Sequence, residues 1–529
     1  MKRTVSSYFD AFAPAPAWDE LVWWPPDVFA LTNLVLDHTE GYRFVIAPPT
    51  GRRWPALPDW NAQVQTAGLA WREAVDEPRG ELPSIVRDRW EVISALRQTP
   101  LDLVRAGDAW ELTEALLTLH AAADEACAGI GASARHSWFE ALAWRRLQED
   151  GTLARISSAR VRILPKTHLS PHGISIRSLS RHAALSYESV DVRWRSVGPP
   201  SVLRPELGIV LVPWPLAIEA HDFRPVAPAA IANMDADVYG FFEFAPEEPV
   251  DGDALRALLV AALAGPECVD AVVFPEGSLA PADLDVVEHV LDEHGVRFLV
   301  AGVRGRHDGG FARNYLHFGV RRPSGWEHYE QDKHHRWCLD GRQIEQYHLT
   351  RSLSAGKLWW EAMDVRERIL HVFDLGLGVT ATPLVCEDLA RLDEAAELVR
   401  RLGPSLVVAL LLDGPQLASR WPCRYASILA DEPGSSVLTL TAFGMVARSR
   451  PPGAAPSRVI AHWNNRVDGL REIGLAPGAA AVLLTASVES STLWTADGRR
   501  HADVPGLRLT GVRQLFPGRT VRPEPALTV

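Results

Sequence analysis

Ala271-Val-Val-Phe274 runs directly into Pro275-Glu276-Gly277-Ser278, so a short apolar, branched stretch ends on a turn that carries an acid. Stretches of this length and composition read as buried strands. Two more flank it, Leu207-Gly-Ile-Val-Leu-Val212 and Phe298-Leu-Val-Ala301. Between them the apolar period lengthens to that of a helix. Asp253 can cap a helix carrying Leu255, Leu258, Leu259 and Leu263, and Leu284, Val287 and Leu291 mark a second one closed by Gly295. Strand–helix alternation at this spacing predicts an α/β layered domain with functional residues at its strand ends. Apolar stretches at 315–320, 384–385, 406–412, 437–440 and 481–484 continue the sheet pattern to about residue 512.

The first two hundred residues have a different texture. Eleven of the 19 tryptophans lie between Trp18 and Trp194, which demands a packed environment there. Leu112, Leu116, Leu119 and Ala123 repeat at helical spacing, and Trp138, Leu142 and Leu147 mark a following helix. The expected organisation is a mainly helical accessory domain at 1–164, a linker at 165–205 rich in Pro and Gly, an α/β domain at 206–512, and a tail at 513–529.

Composition narrows the function classes. The 529 residues suffice for several domains, and 47% hydrophobic with 23% charged residues is ordinary globular usage. A formal charge of -12 argues against a dedicated nucleic-acid or anionic-membrane binder, although Arg-rich stretches occur at 155–162 and 177–195. Five cysteines at irregular spacing make no disulfide framework and fit a reducing compartment, so a cytoplasmic location is expected. Asp10 and Ser6-Ser7 interrupt the apolar core that a signal peptide would need, and no apolar run has the length of a membrane span.

Three reactive side chains sit near or beyond strand-like segments. They are Glu276 in Val272-Val-Phe-Pro-Glu276-Gly-Ser, Lys333 in Tyr329-Glu-Gln-Asp-Lys333-His-His-Arg, and Cys386 in Thr382-Pro-Leu-Val-Cys386-Glu387-Asp388. A thiol at a strand-to-helix turn faces helix N–H groups, and a nearby cation would favour the thiolate. The expectation is therefore one cysteine that labels with iodoacetamide well below the ~8.5 of free Cys.

In this order, with separations of 57 and 53 residues, the three sites resemble the nitrilase, or carbon-nitrogen hydrolase, superfamily. Arg313-Asn314-Tyr-Leu-His-Phe-Gly-Val320 looks like its asparagine-led strand before the lysine, and Gly376-Leu-Gly-Val-Thr-Ala-Thr-Pro-Leu-Val-Cys386 like its approach to the nucleophile. The segment from Leu412-Asp-Gly-Pro-Gln-Leu417 to Asp431-Glu-Pro-Gly-Ser-Ser436 looks similar to nitrilase-like domains fused to bacterial defence reverse transcriptases; residues 1–200 show no Tyr-x-Asp-Asp polymerase motif. The resemblance implies a four-layer α-β-β-α sandwich, at least a dimer, and a cofactor-free hydrolase of a small-molecule amide. It implies Cys386 as nucleophile, Glu276 as proton carrier, Lys333 with the backbone N–H of Glu387 as oxyanion donors, and a second glutamate orienting the lysine. Glu345 is the best match for that glutamate and Glu330 a weaker rival. The run His334-His335-Arg336-Trp337 after the lysine is bulkier than the family pattern, which bears on substrate class.

Plainer readings exist for each residue. A lone Cys is usually a buried, inert hydrophobe, Glu276 could cap the next helix, and Lys333 could lie on a solvated face. His328, His334, His335 and Cys338 lack the spacing of a zinc finger, so no metal is expected. A non-catalytic sensor or docking module of the same fold, with a role in phage defence, is the alternative function.

Overall fold

In the computed structural model, the residues described are 3–12, 17–55, 59–131, 137–156, 158–159, 161–170, 173–197, 205–227, 234–305, 311–391, 395–450 and 456–517. Two seven-stranded sheets lie face to face. The first runs, in spatial order, Gly325–Asp332, Asn314–Arg322, Phe298–Arg304, Ala271–Leu279, Glu206–Leu211, Ala481–Trp494 and Arg500–Leu515. The second runs Gly469–Gly474, Val459–Asn465, Ser436–Thr441, Leu406–Leu411, Val379–Val385, Ile369–Gly376 and Asp191–Ser196.

Burial explains why the central strands read as unbroken apolar runs. Ile209, Leu211, Val273, Val300, Leu316 and Phe318 face the second sheet, in one core with Val372, Leu384 and Val408. The alternate residues Val210, Val272, Phe274, Leu299 and Ala301 face outward onto the helices Gly252–Leu263 and Pro281–Glu293. The helix Trp421–Asp431 packs on the second sheet beside Ser436–Thr441 and Val459–Asn465. The layers are thus α-β-β-α, the fold class implied by the resemblance. Asp251, two residues earlier than the expected Asp253, caps the first outer helix through bonds from Asp253 N at 2.9 Å and Ala254 N at 3.2 Å.

The N-terminal region is mainly helical. Trp110–Ala126 is buried nearly all round and packs against Pro25–Thr39, Trp60–Asp76 and Ser84–Leu96, as a helix apolar on every face must. The helix expected after Trp138 spans Trp138–Asp150, with Ser137 capping it. The segment anticipated as a linker is built structure in its described part. Ala183–Ser186 pairs with Arg162–Pro165, and Asp191–Ser196 adds in parallel to Ile369–Gly376 as the edge of the second sheet. Its alternating burial, with Val192 and Trp194 inside, was hidden by the Pro and Gly around it. The last strand likewise continues to Leu515, past the expected end of the domain at 512. No helix among the described residues is long and apolar enough to cross a membrane.

A four-stranded sheet of Cys338–Leu339, Leu358–Glu361, Tyr239–Phe244 and Phe223–Val226 sits at one end of the sandwich. It has its own core around Phe242, Trp337, Tyr347 and Trp359, and it borders the site described next.

Candidate active site

Glu276 sits on a bulge. The pairing of Ala271–Leu279 with Phe298–Arg304 is regular to Phe274 and resumes only at Leu279. Gly277 takes φ +63° inside the interruption. The bulge presses against its neighbour so closely that a Cβ on Gly302 would lie 2.4 Å from the Glu276 Cα, which is why that strand carries glycine there. Ser278 Oγ closes the turn on the Pro275 carbonyl at 2.7 Å. The Pro-Glu-Gly-Ser stretch therefore re-aims a carboxylate inward; Asp283, not Glu276, caps the following helix by accepting from Ala280 N at 2.7 Å.

Lys333 follows directly on the edge strand Gly325–Asp332, and its side chain is fully enclosed. Its Nζ donates to Glu276 Oε1 at 2.7 Å and to Glu361 Oε2 at 2.6 Å. Asn314 Nδ2 ties the same two acids together, at 2.8 Å from Glu276 Oε1 and 2.6 Å from Glu361 Oε1. Trp337 N adds a bond to Glu361 Oε2 at 3.1 Å. An ammonium has three N–H donors, so two carboxylates leave it one for a ligand.

Cys386 ends the strand Val379–Val385 at φ +44° and ψ −106°, a backbone strained for any side chain, and its N–H reaches Leu410 O at 2.8 Å. The short helix Glu387–Ala390 begins immediately after it. This turn is the predicted strand-to-helix elbow, and it points the thiol into the cluster that holds Glu276 and Lys333. Glu276 Oε2 has no hydrogen-bond partner among the described residues.

The electrostatics corrects one expectation. Burial, reinforced by Glu276, pushes the Cys386 thiol well above its ordinary range, and Lys333 only partly offsets this. Cys386 is 2% exposed, so loss of hydration outweighs the helix and cation effects that pointed to a ready-made thiolate. Burial also raises Glu276; Lys333 opposes and Glu361 adds to the rise. Burial works against the charge on Lys333, yet Glu276 and Glu361 hold it well above the usual lysine value. The resting cluster is a protonated thiol beside a carboxyl with raised proton affinity and a fixed ammonium.

Glu276, Lys333 and Cys386, named from sequence, are brought together. Glu345 is not. It is exposed on the helix Gly341–Gln346, and Glu361 is the second carboxylate at the lysine. The chain after Lys333 makes a helix before returning as the strand Leu358–Glu361, so the second acid arrives later in sequence than expected. An acid in the aromatic stretch Leu358-Trp-Trp-Glu361-Ala-Met363 was the only signal for it. Glu330 is exposed and paired with Arg313 at 2.7 Å. Glu387 supplies a backbone N–H at the first turn after the cysteine.

Two further residues escaped notice. Asp388, fully buried, accepts from His334 N through both oxygens at 3.1 Å and from His335 Nδ1 at 2.9 Å, locking the chain after Lys333 to the turn after Cys386. Gln331, also buried, donates to Pro383 O at 3.0 Å and accepts from His371 N at 2.9 Å, joining the two sheets beside the site. All five thiols are free. His334 and His335 are used in these contacts rather than in a joint site with Cys338. A cavity of about 40 Å³ adjoins the cluster, lined in part by Asn314, Trp337, Glu361, Met363 and Leu412.

No family model and no curated protein matches the chain. Among solved structures, the glutamine-dependent NAD+ synthetase from Acinetobacter baumannii is similar at TM-score 0.32 and 13% identity, over 53% of this chain and 45% of that one. An amidase of the nitrilase superfamily from Nesterenkonia AN1 gives TM-score 0.32 and 14% identity over 53% and 90%. A carbon-nitrogen hydrolase superfamily protein from Xanthomonas campestris gives 0.30 and 15% over 53% and 89%. This chain thus spans less than half of the synthetase's length. At such scores the likeness has no bearing on activity, for which the geometry of the site must speak.

Proposed function

We propose that this protein is a thiol-dependent hydrolase of a non-peptide C–N bond, that of a carboxamide. One observation carries the reading: a buried Lys333 bonded to two carboxylates, opposite a thiol on a strained strand-to-helix turn. A resting thiol with a raised pKa needs a base, and Glu276 Oε2 has the capacity to take its proton. Sulfur then attacks the amide carbon while Lys333 Nζ and the Glu387 N–H hold the developing oxyanion; each such donor is worth ~2.7–4 kcal/mol. Collapse breaks the C–N bond as Glu276 returns the proton to the leaving amine, giving a thioester on Cys386. Water, deprotonated by Glu276, attacks that thioester; the C–S bond breaks, the carboxylic acid leaves, and Glu276 returns the proton to the departing sulfur. Glu361 and Asn314 hold the lysine and the base in register throughout.

The second reading, a non-catalytic sensor of the same fold, draws on the narrowness of the cavity, about 40 Å³, which holds little more than water as it stands. Turnover of a small-amide panel by wild type and by Cys386→Ala separates the two. The hydrolase reading expects ammonia or amine release by wild type and none above background by the variant, with equal thermal midpoints. Equal release by both removes Cys386 from the chemistry.

A further inference from the structure

Away from the catalytic cluster, Glu288, His317 and His328 bring three ligand atoms together, all within 4.8 Å of one another. Glu288 comes from the outer helix Pro281–Glu293, His317 from Asn314–Arg322, and His328 from the edge strand Gly325–Asp332. His317 Nε2 lies 2.9 Å from Glu288 Oε1, and His328 Nε2 lies 3.1 Å from each Glu288 oxygen. Both imidazoles thus turn the same ring nitrogen toward one carboxylate.

The register explains how. His328 pairs with Gly319, two residues along from His317 on the same face of the sheet. A Cβ on Gly319 would sit 3.3 Å from His317 Nε2 and 3.1 Å from the Trp326 ring, so glycine keeps the space beside that nitrogen open. Glu288 and His317 are buried, whereas the His328 side chain is 48% exposed, which leaves a side open to water. His317 Nδ1 has no hydrogen-bond partner among the described residues, so no second bond fixes the ring's tautomer against presenting Nε2 as a lone pair.

We infer that Glu288, His317 and His328 form a binding site for a transition-metal ion of the zinc class, with water as a fourth ligand. Two imidazoles and a carboxylate suit zinc, and bonds of ~2.0–2.2 Å place tetrahedral ligand atoms about 3.3–3.5 Å apart, a small expansion of the His–Glu separations of 2.9 and 3.1 Å. The sequence suggested no metal because Glu288 is 40 residues from His328 along the chain and His317 lies on the preceding strand of the hairpin, outside any finger spacing. It grouped His328 instead with neighbours that point elsewhere. A bound ion would staple the edge strand that leads into Lys333 to the helix that follows the Glu276 strand.

The test is equilibrium dialysis of the full chain against Zn2+, with metal counted per protein, for wild type, His328→Ala and Glu288→Gln. Wild type is expected to retain one equivalent more than either variant and to gain thermal stability with Zn2+ that both variants lack. With Co2+ the same site should give visible d–d bands without the near-ultraviolet charge-transfer band of a thiolate ligand. Equal stoichiometry in all three proteins, or a thiolate band lost only on removing a cysteine, would overturn the assignment. Far-ultraviolet circular dichroism of the metal-free variants shows that they are folded; His328, on the surface, is the variant on which the conclusion rests.

Discussion

Cys386 occupies a backbone conformation that costs about 1–3 kcal/mol for a side-chain-bearing residue, and its thiol is buried beside a carboxyl group. These features together give a thiol that is protonated at rest, and the proposed mechanism then needs a base beside it. The acid dependence of the reaction should therefore follow Glu276. Because burial and Glu361 raise its pKa, the carboxylate form needed to accept the thiol proton is lost at a higher pH than for an ordinary glutamate near ~4.3. The acid limb of kcat/KM should lie above that value. Glu361→Gln should move it downward, since a neighbouring negative charge is removed. A limb at ~4.3 or lower in wild type, or an upward move in the variant, would contradict this charge arrangement.

At the scale of elements, the site depends on contacts between chain segments more than on any one strand. Asp388 binds the backbone after Lys333 from the turn after Cys386, and nothing near it in sequence reveals this. Asp388→Ala should strand a buried N–H at a cost of about 1–3 kcal/mol in denaturant unfolding. It should also lower kcat by roughly 10–100-fold, with KM changed less, because the lysine is displaced and not removed. Asp388→Asn keeps an acceptor for His334 N and should recover part of kcat; no recovery would assign Asp388 a purely electrostatic part. The same distinction explains what the sequence revealed. Strands such as Ala271–Leu279 and Leu406–Leu411 announce themselves through continuous apolar runs, because parallel strands are buried on both faces. Glu276, Lys333 and Cys386 stood out by their order and local settings. Glu361, Asp388 and Gln331 did not, because a contact across two sheets leaves no periodicity behind. Asp191–Ser196 was missed for a related reason: an edge strand followed by Gly and Pro looks like a connection.

Near the helical end of the molecule the side chain of Arg499 is fully buried. Arg499, at the tip of the hairpin formed by Ala481–Trp494 and Arg500–Leu515, pairs with Asp124 at 3.0 Å, Glu125 at 2.5 Å and Asp497 at 3.1 Å, and donates to Ala121 O at 3.2 Å. Helix Trp110–Ala126 is thereby joined to the α/β sandwich. Arg499→Met leaves carboxylates buried without their partner and should cost about 3–5 kcal/mol in denaturant unfolding. A loss under ~1 kcal/mol would mean that water already solvates those acids. The cluster of Glu276, Lys333 and Cys386 lies elsewhere, so any turnover by the folded fraction should be unchanged.

The proposed chemistry requires that sulfur at Cys386 become covalently bonded to substrate carbon. The most direct measurement is the mass of the intact protein, quenched in acid during turnover of an amide found in the panel, followed by peptide mapping. The account predicts an added acyl mass on the peptide carrying Cys386 that disappears as substrate is exhausted, and no such species in Cys386→Ala. Turnover with no acyl mass under rapid quenching, or an adduct mapped to Cys127, Cys268, Cys338 or Cys423, would contradict it.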